Sequence, residues 1–242
     1  MSAAARSRSA ARTAVVEDVV ILGVGGNCLD ILDTINEINR AAARPALRCI
    51  GFLDDNRATW GKRMHGVEVL GPLASAAKYR GARFVNGIGS PRNHTQRPAI
   101  VRSTGVPDER YLTVIHPTAS VSAMARLGHG CVVLQHVTIA NNVTVGNHVI
   151  ILPSSILSHD DVVGDHTAIA GGVCVSGGVR IGRACYLGTG SSVIGNVSIG
   201  DRCLVGMGSV VLKDVASGNV VAGNPARVLR RRPATTGERR RP

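Results

Sequence analysis

A chain of 242 residues can bury two modest cores, and its formal charge of +12 first suggests a nucleic-acid partner. The charge sits mostly at the ends: Arg6, Arg8 and Arg12 supply +3, and the run from Arg227 to Arg241, less Glu238, supplies +6, leaving about +3 between them. Only Phe52, Phe84, Tyr79, Tyr111, Tyr186 and Trp60 are aromatic, so the basic, aromatic-lined groove of a specific nucleic-acid binder is missing.

Residues 1–14 are mostly Ala, Ser and Arg without the apolar run of a signal peptide, and no later segment approaches the ~20 apolar residues of a membrane span. They read as a disordered tail on a cytoplasmic protein.

From residue 15 to about 108 an α/β unit is expected. Val19-Val20-Ile21-Leu22 is a short apolar strand, Gly23-Val24-Gly25-Gly26-Asn27 a glycine-rich turn, and Ile31, Leu32, Ile35 and Ile38 mark one face of a helix. A strand, turn and helix in that order bring backbone N–H groups to a phosphate at the helix N-terminus. A second strand, Cys49 to Leu53, ends in Asp54-Asp55-Asn56, and a third, Phe84 to Ile88, ends at Gly89. Open parallel sheets place ligands at such strand ends. Cys28 stands where a dinucleotide fingerprint would have its third glycine, so a nucleotide-sugar pocket is favoured over one for NAD.

From Ile115 the period is six. Val121, Leu127, Val133, Ile139, Val145, Ile151, Leu157, Val163, Ile169, Val175, Ile181, Leu187, Val193, Ile199, Val205 and Val211 follow without a slip. Four residues after each aliphatic position the residue is small or β-branched, as at Cys131, Val143, Ser155, Thr167 and Cys185; Asp161 alone breaks the series. Short strands joined by tight corners, three hexads to a coil, describe a triangular column of between five and six coils over residues 109–226, and its crossovers resemble those of the left-handed parallel β-helix family. A basic tail is expected from 227 to 242. Cys185 and Cys203 fall one coil apart on an inward column and read as buried thiols; none of the six cysteines forms a CxxC pair that would suggest a zinc ribbon.

The candidate base is His159, in Leu157-Ser158-His159-Asp160-Asp161, the hexad whose small inward residue is replaced. One coil on, eighteen residues later, lies Gly177, where a thioester could approach the backbone and receive an N–H bond. An imidazole suits proton removal from an attacking amine or hydroxyl, and a neighbouring acid, Asp160 or Asp161, could orient it.

The run from Ile115 to Arg230, with Gly23-Val24-Gly25-Gly26, Phe52-Leu53-Asp54-Asp55 and Ile88-Gly89 before it and Gly223-Asn224-Pro225-Ala226 at its end, resembles the bacterial sugar O- and N-acetyltransferases, typified by sialic acid O-acetyltransferases and UDP-4-amino-sugar N-acetyltransferases. The resemblance implies a Rossmann-like domain on a homotrimeric β-helix, acetyl-CoA as co-substrate between neighbouring helices, and no metal. It implies His159 as catalytic base with Asp160 as its acid partner, and Gly25, Gly26, Asn27, Asp54, Asp55 and Gly89 as nucleotide-sugar contacts. It also implies Ala168, Gly177, Thr189 and Met207 as acetyl-CoA contacts. Asn27-Cys28 replaces the His-Gly common in the family, Asp160 a Glu, and Ala168 a second histidine of some members. Two other readings fit the same column: a metal hydratase resembling the γ-class carbonic anhydrases, and a non-catalytic trimeric assembly subunit. The hydratase would need three converging histidines; His148 and His166, eighteen apart, are expected to stack on the surface of the column without a third.

Overall fold

The computed structural model describes residues 16–231, so the expected tail of residues 1–14 and the arginines from Arg232 onward lie outside the described residues. Among the described residues no helix is long and apolar enough to cross a membrane.

The amino-terminal part is a five-stranded sheet in the order β3-β4-β2-β1-β5. Its strands are β1 (Glu17–Leu22), β2 (Leu47–Leu53), β3 (Arg63–Met64), β4 (Val67–Gly71) and β5 (Arg83–Asn86). All neighbours are parallel except the β3–β4 hairpin. The central β1 buries Val19 to Leu22 completely, because helices cover a parallel sheet on its faces. Helix α1 (Gly26–Ala41) starts immediately after Gly25 and buries Ile31, Leu32 and Ile35, as their spacing predicts. β5 stops two residues before the expected Ile88, since the Asn86 side chain accepts the Ile88 N–H and turns the chain out of the ladder.

The rest is a left-handed parallel β-helix. Seventeen two-residue strands run from Val114–Ile115 to Val210–Val211. They stack into three sheets with neighbours eighteen residues apart, as in Thr138 opposite Ile156 and Thr144 opposite Val162. The first face holds Ile150–Ile151 and Ala168–Ile169, the second Ile156–Leu157 and Cys174–Val175, the third Val162–Val163 and Arg180–Ile181. The column interior is aliphatic: Val133, Ile139, Val145, Ile151, Leu157, Val163 and their successors are buried against one another, each worth roughly 1.5–3 kcal/mol against exposure.

Beyond Val211 the period lapses, and the strand Asn219–Ala222 continues the first face, stacked on Leu204–Val205. Arg227–Arg231 corrects the expectation of a tail from residue 227, because it forms an antiparallel strand on Asn219–Ala222 with Val228 opposite Val221. The edge it pairs with is that of Asn219–Ala222, the last strand of the first face.

The α/β part packs on the first face and on the corner that leads into it from the third, where His148 and His166 lie. Outward-facing Val132, Ile150 and Ala168 join Ile31, Leu32, Ile35 and Val114 in one apolar cluster. The second and third faces, and the corner between them, remain outside that contact.

Candidate active site

His159 lies on the corner that links the second face to the third, opposite the face covered by the α/β part. Four successive corners of this kind place one residue in the left-handed region: Asn142, Asp160, Gly178 and Asn196, with φ of 60°, 63°, 75° and 61°. Asp and Asn tolerate this conformation better than other side chains. The turn sets the Asp160 carboxylate beside the imidazole, with His159 Nδ1 2.8 Å from Asp160 Oδ2. Asp160 Oδ1 also accepts from the Asn142 amide one coil below, at 3.2 Å. These hydrogen bonds, first from His159 and then from Asn142, hold the Asp160 carboxyl below its ordinary range. An ionised Asp160 accepts the Nδ1 proton and leaves Nε2 as the basic nitrogen, directed outward.

Of the two acids left open by the sequence, Asp160 is therefore the one that meets His159. Asp161 turns into the column, fully buried, and its Oδ1 accepts the Val179 N–H at 2.8 Å.

Gly177 stands against the imidazole. A Cβ built there would lie 2.5 Å from both Cε1 and Nε2 of His159, so any side chain would push the ring away. The Gly177 carbonyl accepts from Asn196, while among the described residues its N–H has no acceptor. A free backbone donor beside a basic nitrogen suits a carbonyl group under attack.

The glycine turn, Asp54 and the segment Gly87 to Ser90 line a cleft of about 340 Å³ with Asn93. This is at the small end of ligand clefts. Cys28 explains the missing third glycine: its thiol fills the space between Gly23 and Gly87, where an added Cβ would come within 2.9 and 2.6 Å of Sγ. Burial pushes that thiol up to about 12, so it is a packing group. Asn27 donates to the Gly89 carbonyl at 3.1 Å and ties the turn to the opposite wall. Asp55 does not line this cleft; its carboxylate accepts the Leu73 N–H at 3.0 Å. Ser90 and Asn93 belong to the wall and were not singled out from the sequence, where a short polar run reads only as a loop.

The residues assigned to acetyl-CoA do not meet in one chain. Gly177 is with His159, but Thr189 and Met207 stack on the corner between the first and second faces, where Met207 is 76% exposed. Ala168 is buried on the first face, next to Gly89. The second face, with exposed Ile156 and Cys174, lies between the two corners.

Arg97, in the short helix α2 (Arg97–Ser103), is a residue the sequence concealed: a cation in an amphipathic helix reads as surface, yet it is 1% exposed. Nε donates to the His166 carbonyl at 2.9 Å, Nη2 to the His148 carbonyl at 2.6 Å, and Nη1 to the Ile88 carbonyl. One guanidinium thus joins the cleft loop to two coils of the column. Burial lowers it to about 10, so it stays charged at neutral pH, satisfied by three carbonyls. His148 and His166 do stack, with ring centroids 4.9 Å apart and planes 3° from parallel. They are not a surface pair: His148 is 1% exposed, with Nε2 3.0 Å from Asp108 and Tyr111 edge-on at 4.6 Å, because the α/β part covers them. Among the described residues no three His, Cys, Asp or Glu side chains are grouped to hold a metal ion.

A model of the bacterial transferase hexapeptide (six repeats) matches residues 178–213. No curated protein sequence matches the chain. Among solved structures, the acetyltransferase domain of PglB from Neisseria gonorrhoeae FA1090 is 25% identical over 88% of this chain and 100% of that one, with a TM-score of 0.76. PerB from Caulobacter crescentus, solved in complex with CoA and GDP-perosamine, is 28% identical over 88% of this chain and 98% of its own, with a TM-score of 0.74. WeeI from Acinetobacter baumannii AYE is 25% identical over 88% and 100%, with a TM-score of 0.75.

Proposed function

We propose that the chain, which is similar to bacterial sugar acetyltransferases with hexapeptide repeats, moves an acetyl group from acetyl-CoA to the amine of a nucleotide-linked amino sugar, with His159 as general base. The observation that carries this reading is the corner at His159: an imidazole oriented by Asp160, set over a glycine whose N–H is free. CoA and GDP-perosamine in the PerB structure support the two substrate classes.

His159 Nε2 takes a proton from the sugar amine as its nitrogen attacks the thioester carbonyl. The new C–N bond forms while the Gly177 N–H donates to the oxygen that gains charge. The C–S bond then breaks, and the imidazolium, stabilised by Asp160, returns its proton to the departing sulfur. Residues 15–108 hold the nucleotide through Gly25, Gly26, Asn27, Asp54 and Gly89, and residues 109–226 carry the transfer. Thr189 and Met207 are contacts for the CoA arm of a neighbouring copy's site. Six free thiols accord with a reducing cytoplasm.

The working unit is a homotrimer. The cleft and His159 lie on opposite sides of one column, so a sugar held by one chain meets the base of the next. Exposed Ile156 and Cys174 offer the intervening face for that contact.

The test is release of free CoA thiol from acetyl-CoA with a panel of UDP-, dTDP-, GDP- and CMP-linked amino sugars. Turnover with at least one is expected, with an amide in the product, and His159→Ala loses roughly a hundredfold or more. An ester product would move the acceptor from nitrogen to oxygen, and an active alanine variant would remove His159 from its role.

A further inference from the structure

Asp161 stands between Ser155 and Thr167 in the series of small inward positions, and these two polar neighbours, one hexad to either side, make the same pair of hydrogen bonds, whereas the more distant Ser191 side chain makes none among the described residues. Ser155 and Thr167 accept the N–H of the residue eighteen places on, Val173 and Cys185. Ser155, Thr167, Cys131 and Cys185 each donate to the carbonyl fifteen places on, those of Ala170, Gly182, Gly146 and Gly200. Asp161 accepts from Val179, eighteen on, in the same way. Its other oxygen, Oδ2, is buried and has no hydrogen-bond partner among the described residues. The acceptor that the register offers fifteen places on is the carbonyl of Ser176, which an ionised carboxylate could only repel.

We propose that Asp161 is a positioning residue held as a neutral carboxylic acid, whose Oδ2–H donates to the Ser176 carbonyl and ties the turn of His159 to the turn of Gly177. The deduction deepens the reading of His159 as the base and rests on it for its catalytic consequence. The protonation state rests on the column alone. An isolated carboxylate among Val143, Val179, Leu157 and Val163 is costly, whereas the neutral acid completes the hydrogen-bond pattern of its neighbours.

Burial pushes Asp161 up to about 7, against the Val179 and Ser158 N–H groups that favour its charged form. The titratable groups acting on it are His159, which lowers it, and Asp160, which raises it; from the turns above and below, Val143 and Val179 bring no charge. The corner therefore carries two adjacent acids in opposite states, Asp160 ionised toward the imidazole and Asp161 neutral toward the backbone.

Three readouts decide this. Infrared difference spectra of Asp161→Asn against the parent at pH 6 are expected to show a protonated carboxyl band in the parent only; its absence overturns the neutral acid. The folded chain keeps a proton that the unfolded chain releases from pH ~4 upward. The parent should therefore lose stability as pH rises toward 7, and the Tm of Asp161→Asn relative to the parent should climb between pH 5 and 8. A constant difference overturns the proposal. Asp161→Asn, which can accept from Val179 and donate to Ser176, should keep kcat. Asp161→Val, matching Val143 and Val179 in the column, should fold yet lose roughly ten- to a hundredfold in kcat with KM little changed. A valine variant as active as the parent removes the positioning role, and an asparagine variant as poor as valine shows that the charge is required. The spectral and thermal readouts need no substrate, so a failure of the proposed transferase reaction would be seen separately.

Discussion

The Gly177 backbone carries a sharp test of the site. Its φ lies outside the left-handed region, so an alanine is tolerated by the backbone, but the added methyl would sit 2.5 Å from His159 Nε2. The mobile imidazole gives way before the ladder does. Gly177→Ala should leave Tm within a degree or two and lower kcat by roughly ten- to a hundredfold through a displaced base, checked by parallel melting and steady-state assays. Asp160→Asn should also fold and lose turnover, since an amide facing Nδ1 removes the acceptor that keeps the proton there. At this scale the hexad of His159 stood out in the sequence because it breaks the small-residue rule. The rule was broken by Asp161, though, and hexad spacing alone could not say which acid faces the ring. Corner geometry decides that: the left-handed residue presents its side chain outward and the next one turns into the column.

The contact between α2 and the column predicts an acid response. His166 is lowered to about 4, by burial first and then by the charges of His148 and Arg97; burial lowers His148 too, against Asp108. A free histidine titrates near 6.5, so between pH 6.5 and 4 the unfolded chain binds protons that the folded one refuses. Stability from this neutral pair is complete above about pH 6.5 and is lost as pH falls toward 4. His166 has φ of 60°, which asparagine adopts readily, so His166→Asn should fold. Its Tm should fall less than that of the parent between pH 7 and 5. Asp161 works in the opposite direction over an overlapping range, and comparison of each variant with the parent separates the two. Arg97→Lys cannot span three carbonyls with one ammonium; it should lower Tm and raise KM for the nucleotide sugar more than for acetyl-CoA, since Ile88 borders the cleft. The spacing of eighteen foretold that His148 and His166 stack, but neither their burial nor the place of Arg97 was visible beforehand, because these residues become interior only when two separate units meet.

For the whole molecule, the division of the site between copies can be tested by complementation. Gly25 faces open space, so Gly25→Leu should fill the cleft without disturbing the fold. Trimers of Gly25→Leu alone and of His159→Ala alone should both be inactive. Co-assembled in equal amounts, they should recover about a quarter of parental activity, the share of sites that pair an intact cleft with an intact base from a neighbour. No recovery would mean that each chain uses its own base, or none.

The period of six and the strand, glycine turn and helix before it were enough to determine the β-helix, the α/β unit and the two chemically marked turns, because these are local patterns that each segment carries within a coil or a single β–α step. Which face of the column is covered, where Arg97 and the His148–His166 pair go, and the placing of the cleft and His159 on opposite sides were decided only in three dimensions. A repeat with period six writes all three faces in nearly the same residues. Only packing of the second unit makes one of them different from the others.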